Sequence, residues 1–252
     1  MLFVFVASLG GALNRASEAE ALAPRLGLTP YEARLALATP APSILLATSD
    51  RDRATDALAL LRSRGHGAHA FDGESFVSSD RMTKLDDFRL DADGVRRSTT
   101  GDLLPYGDVF AILRAVHDRS GRVEHQARPG IVDTLMPTGT GFTAESKIHD
   151  REHVAYFFRR SGEKPWLLRE THTSYVGLGI ERSAVAFVNF TRTLARVREA
   201  SSMAVFDDRL VRRRVAERAD AEGGLRSSRD GIDLLAHLLA MTIASQGGSP
   251  YR

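Results

Sequence analysis

Hydrophobic and polar positions divide the chain into a regular first third and a less periodic remainder. LFVFVASL (2–9) is an unbroken apolar run, the pattern of a strand covered on both faces. Behind it, Ala19, Leu22, Ala23 and Leu26 recur at helical spacing. Ser17 and Glu20 form an S-x-x-E capping box that predicts the helix start, and Gly27 marks its stop. TPYE (29–32) predicts a second helix, with Thr29 as cap, Pro30 in the first turn and Glu32 reaching back. PSILLATS (42–49) reads as a strand. Ser49 or Asp50 then caps a helix bearing Ala54, Ala57, Leu58 and Leu61, and HGAHAFD (66–72) returns as a strand. Strand–helix–strand returns of this length predict parallel neighbours. The expected unit is one small sheet with its helices on one face.

GLTPYEARLALATPAPSILLATSDRDRATDALALLRSRGHGAHAF carries a helix ending in a Gly-Leu turn, an E-A-x-x-L helix, a Pro-led strand and an Asp-capped helix. In this it resembles the C-terminal domain of the bacterial ribosomal stalk protein, a fold shared by the adaptor family of the Clp protease. The resemblance covers residues 2–72 and implies fold rather than site. The stalk domain docks translation factors through a lysine-bearing surface, whereas residues 1–72 contain no lysine. The adaptor's acidic pocket for a substrate amine has no match either.

From residue 73 the pattern changes. DDFRLDADGVRRS (86–98) predicts two short strands around a D-A-D-G turn. In 101–117 the spacing of Phe110, Leu113 and Val116 approaches a helix, but the β-branched and aromatic content favours a strand. Residues 118–150 form a long loop or an inserted hairpin. VAYFFRR (154–160) and PWLLRETHTSY (165–175) flank SGEK as a hairpin, which puts Trp166, Leu168, Glu170 and His172 on one strand face. Three helices close the chain: one with Ala184, Phe187, Val188 and Leu194 inward, RLVRRRVAER (209–218) capped by Asp207 or Asp208, and GIDLLAHLLAMTIAS capped by Asp230. The class is α+β, with a stalk-like module at 1–72 that folds by itself and a strand-rich α+β module at 73–252.

Composition narrows the chemistry. There is no cysteine among the 252 residues, so disulfides, thiolate metal sites and cysteine nucleophiles are out. The basic residues are 31 arginines against three lysines (Lys84, Lys147, Lys164), and the net charge is only +2. Arginine abundance of this kind reflects a GC-rich bacterial genome more than a nucleic-acid surface. The apolar start lacks the charged flank of a secretory signal, and no window reaches the about 18 apolar residues of a membrane span. A cytoplasmic location is expected, with no membrane partner.

Candidate sites are few. HDREH (149–153) has the spacing of a two-histidine metal clamp on a helix, but its flanks are strand-like, and residues four apart on a strand lie too far apart to chelate one ion. No metal, cofactor or catalytic residue is assigned. Arg169, Glu170 and His172 could line a small-ligand or catalytic site between the modules, with Glu170 and His172 as a pair. Arg212 and Arg213 lead the basic helix, where nucleic acid is the third reading behind a solvated helix face. Trp166 is expected to fill the core beneath a covering helix, with Phe187 and Phe190 as partners. The leading functional expectation is a non-enzymatic module that binds another protein. A pocket with converging polar groups would favour the small-ligand alternative instead.

Overall fold

The computed structural model describes residues 1–10, 14–38, 42–124, 145–212 and 228–247; for 118–124, 145–150 and 228 it describes the backbone path alone. These residues form an α+β protein with five α-helices and three sheets. The first sheet comes from β1 (Leu2–Ser8), β2 (Ser43–Thr48) and β3 (Gly67–Asp72), with α1 (Arg15–Leu26), α2 (Pro30–Ala38) and α3 (Arg51–Ser63) between them. Its order is β2-β1-β3, and β1 runs antiparallel to both neighbours. The expected parallel neighbours are absent for a geometric reason. Two helices separate β1 from β2, and each reverses the chain once, so β2 starts at the end where β1 stopped. The single helix α3 makes β2 and β3 parallel to each other, but β1 lies between them.

Local capping explains the helix boundaries. Asn14 starts α1 by accepting a hydrogen bond from the Ala16 amide at 3.0 Å. Ser17, the expected cap, is already in the first turn and donates to the Asn14 carbonyl; Asn caps as well as Ser, and the earlier residue takes the role. Thr29 and Glu32 do form the expected reciprocal box, and the Asp50 carboxylate accepts from the amides of Asp52 and Arg53. Gly27 ends α1 at φ +72°, a left-handed conformation that favours glycine.

Both faces of the first sheet are covered. Val4 and Val6 pack with Leu22, Leu37 and Leu61 from the three helices. Phe3, Phe5 and Phe71 point the other way and pack onto α5 (Ser228–Gln246), from the far end of the chain. Helices on one face alone would have left these rings in water, which is why β1 reads as apolar throughout. A single core cluster therefore crosses residue 72.

The second sheet has the order β11-β8-β9-β10-β4. It uses β4 (Thr83–Lys84), β8 (Val109–Glu124), β9 (Glu145–Arg159), β10 (Trp166–Arg169) and β11 (Val205–Leu210). The strand expected at 101–117 is divided: Leu103–Pro105 belongs to the third sheet and β8 starts at Val109; the inserted hairpin is built from long β8 and β9 arms paired as far as Glu124↔Glu145. Residues 125–144 lie outside the described set. Two expectations fail here. The second hairpin strand ends at Arg169, not Tyr175, because the next residues turn back to bond Glu152 and the Leu85 carbonyl. The start of the expected helix 209–218 is strand β11, which pairs in parallel with β8. Pairing with the edge of β8 buries Leu210 against α5, a gain that a solvated Arg-rich helix would forgo. A third, antiparallel sheet contains β5 (Phe88–Leu90), β6 (Gly94–Arg97) and β7 (Leu103–Pro105) around the D-A-D-G turn. A Cβ on Gly94 would sit 2.3 Å from the Leu104 carbonyl oxygen, so only glycine fits that turn.

The layers stack as helices α1–α3, first sheet, α5, second sheet, and then α4 (Ala186–Ala200) with the third sheet. Helix α5 is apolar nearly all round, with Leu234, Leu235, Ala236, Leu238 and Leu239 all buried, as a helix between two sheets must be. On the outer face of the second sheet, Trp166 and Leu168 pack with Phe88, Phe190 and Val197, while Leu167 faces α5. Trp166 is 2% exposed, as expected of a core ring, and Phe190 shares its core. Phe187 is 40% exposed and is capped instead by the Arg114 guanidinium and His153.

Candidate functional site

Four polar groupings compete as the site. The first was anticipated in part. Glu152, on β9, is buried and gathers most of the residues singled out near β10. Its Oε2 accepts from Arg169 Nη2 at 2.8 Å, and its Oε1 accepts from Thr171 Oγ1 at 2.6 Å and His172 Nδ1 at 2.8 Å. Burial alone would raise this carboxyl. The donors Thr171, Arg169 and His172 overcome it and hold the pKa near about 2. His172 thus joins a carboxylate on β9, where alternation had paired it with Glu170. Glu170 accepts from the His153 amide at 3.2 Å. These bonds pin the chain leaving β10 and consume the polar atoms of Glu152. Of the two remaining candidates, Arg212 is exposed just past β11, while Arg213 lies outside the described residues. His149 of the HDREH stretch has no described side chain, and its strand β9 places His153 against Phe187 and Phe190.

The second grouping lies between α5 and the second sheet. Asp233, wholly buried, accepts from the Ser79 amide at 2.7 Å, the Ser79 hydroxyl at 2.5 Å and the Tyr156 hydroxyl at 2.7 Å. His117 Nε2 lies 2.7 Å from the Tyr156 hydroxyl and 3.2 Å from Asp233. Burial opposes the charge on Asp233, but the His117, Ser79 and Tyr156 bonds outweigh it and lower its pKa; burial and the Asp233 charge together push Tyr156 well above the usual phenol range. Ser79 donates straight to the carboxylate, with no base aimed at its oxygen, so the arrangement clamps three segments together and does not activate a nucleophile. The third grouping, inside the first sheet's helices, is Glu18 bound by Arg64 at 2.6 Å and His66 at 2.9 Å.

The fourth is a cavity of about 520 Å³ at the junction of the first sheet, α5 and the β9–β10 turn. Phe71 and Phe158 form its apolar walls with Ala240 and Met241; Lys164 and Pro165 stand at the turn. His237, on α5 one turn beyond Asp233, is its buried polar residue. Its Nε2 donates to the Val77 carbonyl at 3.0 Å, and the rings of Phe71, Phe76 and Phe158 surround it at centroid distances of 5.9, 5.6 and 5.1 Å. Burial is the main cause that drives its pKa down to about 4. A shallower polar depression of about 380 Å³ lies beside Ser174, Arg182 and Asn189, at the start of α4.

Sequence reasoning did not single out His237 or Asp233. The available signal was their spacing: two polar residues four apart in the otherwise apolar GIDLLAHLLAMTIAS. Buried polar groups need partners, so such a pair points to a network or a pocket.

The depressed His237 sets a pH expectation. In the unfolded chain the imidazole takes a proton below about 6.5, while the folded protein refuses it down to about 4. Its contribution is therefore full above pH 6.5 and is lost as pH falls from 6.5 towards 4, about 3 kcal/mol in all. Denaturant unfolding at several pH values should show this slope, and His237→Phe should flatten it. An unchanged slope in that variant would assign the loss to other groups. The carboxyls of Glu18 and Glu152, both lowered to about 2, act in a separate window below about 4.5.

Comparison with protein-family models, curated proteins and solved structures finds no match for the chain. Among the described residues, no helix is long and apolar enough to cross a membrane.

Proposed function

We propose that the protein binds a small molecule in the cavity between the first sheet, α5 and the β9–β10 turn. The supporting observation is the cavity itself: about 520 Å³, walled by Phe71, Phe158 and Met241, with His237 as a lone buried polar group. Ligand sites in proteins of this size are commonly apolar concavities of about 300–1,000 Å³ with a few placed polar groups. The described buried carboxylates are each tied to partners of their own, in the Glu18, Glu152 and Asp233 clusters, and none lines this cavity. Binding without chemistry is accordingly the simplest use of it.

A two-ring aromatic fragment screen monitored by NMR on the full chain tests the reading. Perturbed signals should map to Phe71, Val77, Phe158, His237 and Met241, and Met241→Trp, which fills the space, should remove them. Fragments that bind equally well to Met241→Trp, or perturb only other surfaces, would refute it.

A docking role towards another protein is the second reading. It is favoured by the exposed apolar residues Val176, Ile180, Val185 and Phe187, 59%, 104%, 55% and 40% exposed, around the start of α4. Partner capture that is lost in Ile180→Asp, with fragment binding intact, would place the function there.

A further inference from the structure

His237 offers the cavity one polar atom of fixed character. Its Nε2 faces the Val77 carbonyl at 3.0 Å. A carbonyl oxygen can only accept, so Nε2 carries the ring proton. In a neutral imidazole so arranged, Nδ1 holds a lone pair and can only accept. Burial between three phenyl rings keeps the ring neutral at ordinary pH. Most of the surrounding wall is apolar, from Phe71, Phe158, Pro165, Ala240 and Met241, and its side-chain donors, the Ser75 hydroxyl and the Lys164 ammonium, sit on exposed residues rather than beside the buried ring. The charged lining residues, Asp72, Glu163 and Lys164, are exposed. Glu163 is paired with Arg159, and Asp72 accepts from the Glu74 amide.

Building on the cavity reading above, we propose that the ligand is a neutral, mainly apolar molecule carrying one O–H or N–H that donates to Nδ1 of His237. An anionic group placed there would meet a lone pair and lose its hydration with no donor in return. A purely hydrocarbon ligand would leave Nδ1 buried without a partner, which also costs free energy. Aromatic hydroxyl compounds and indole-like N–H compounds fit both demands. A ligand that places its anionic group against Nδ1 does not.

Three probes with the same two-ring body separate the possibilities: 2-naphthol, 2-methoxynaphthalene and 2-naphthoate. Titration calorimetry on the full chain should rank naphthol about tenfold tighter than the methyl ether, the usual scale of one hydrogen bond. Naphthoate should bind most weakly. Nitrogen-15 NMR gives a readout that needs no variant. The unprotonated His237 Nδ1 resonance should move upfield with naphthol and stay put with the ether. His237→Phe should bring naphthol and the ether to equal affinity. Equal binding of naphthol and ether with a static Nδ1 signal would overturn the donor rule and leave the cavity reading intact. Tightest binding by naphthoate would overturn the neutral-ligand rule. Failure of all three probes, with a fragment screen that never perturbs Phe71, Phe158 or His237, would remove both.

Discussion

Asp233→Ala is expected to remove a large share of the protein's folding stability. The carboxylate joins the loop at Ser79, both long strands of the second sheet and α5, and all of its described partners are buried. Truncation strands the Ser79 amide and hydroxyl, the Tyr156 hydroxyl and His117 in the same dry pocket. Removing one partner of a buried charged network costs about 3–5 kcal/mol, against about 5–15 kcal/mol that holds a typical domain together. Asp233→Asn keeps the shape and part of the hydrogen bonding, so a smaller loss of about 1–3 kcal/mol is expected. The carboxyl's pKa is depressed in the fold. Its contribution is therefore present above the unfolded value and is lost as pH falls through the folded one. Both variants should lose part of the parent's acid sensitivity. Chemical denaturation at pH 7 decides the matter: an Asp233→Ala midpoint close to that of the parent would show that water replaces the clamp at little cost.

Trp166→Ala should be comparably damaging for a different reason. The ring is 2% exposed among Leu168, Phe88, Phe190 and Val197, on the face of the second sheet opposite α5. Nothing nearby can collapse into the space, because α4 and the third sheet both rest on that face. Large-to-small changes of this kind cost about 3–5 kcal/mol, part transfer and part residual cavity. Tryptophan emission, arising from this single ring, should be blue-shifted and resist iodide. His172→Ala should cost much less, since its ring is partly exposed and Glu152 keeps Arg169 and Thr171. A Trp166→Ala protein that melts normally, with red, quenchable parent emission, would move Trp166 to the surface.

The parts legible in the sequence are those that local forces decide. Thr29–Glu32, Asp50 and Gly27 set helix ends through bonds within four residues. The alternation of Trp166, Leu167 and Leu168 named the right faces. What failed depended on distant chain. Whether 205–210 is strand depends on the free edge of β8, about a hundred residues earlier. His172 finds Glu152 rather than Glu170 because β10 stops where Thr171 and Thr173 meet acceptors on other segments. The cavity was invisible for the same reason: Phe71, Phe158 and His237 belong to three elements, and no local pattern links them.

The position of α5 also has a consequence for how the protein is made. Phe3, Phe5 and Phe71 leave the ribosome about 160 residues or more before the helix that covers them, from Ile232 to Ala244. At about 5–20 residues per second, the aromatic side of the first sheet stays uncovered for roughly 10–30 s in each round of synthesis. Burial of that face thus waits for α5 to be made. Until then the nascent chain carries a half-covered sheet, and exposed rings of this kind are where a partly made chain is prone to aggregate.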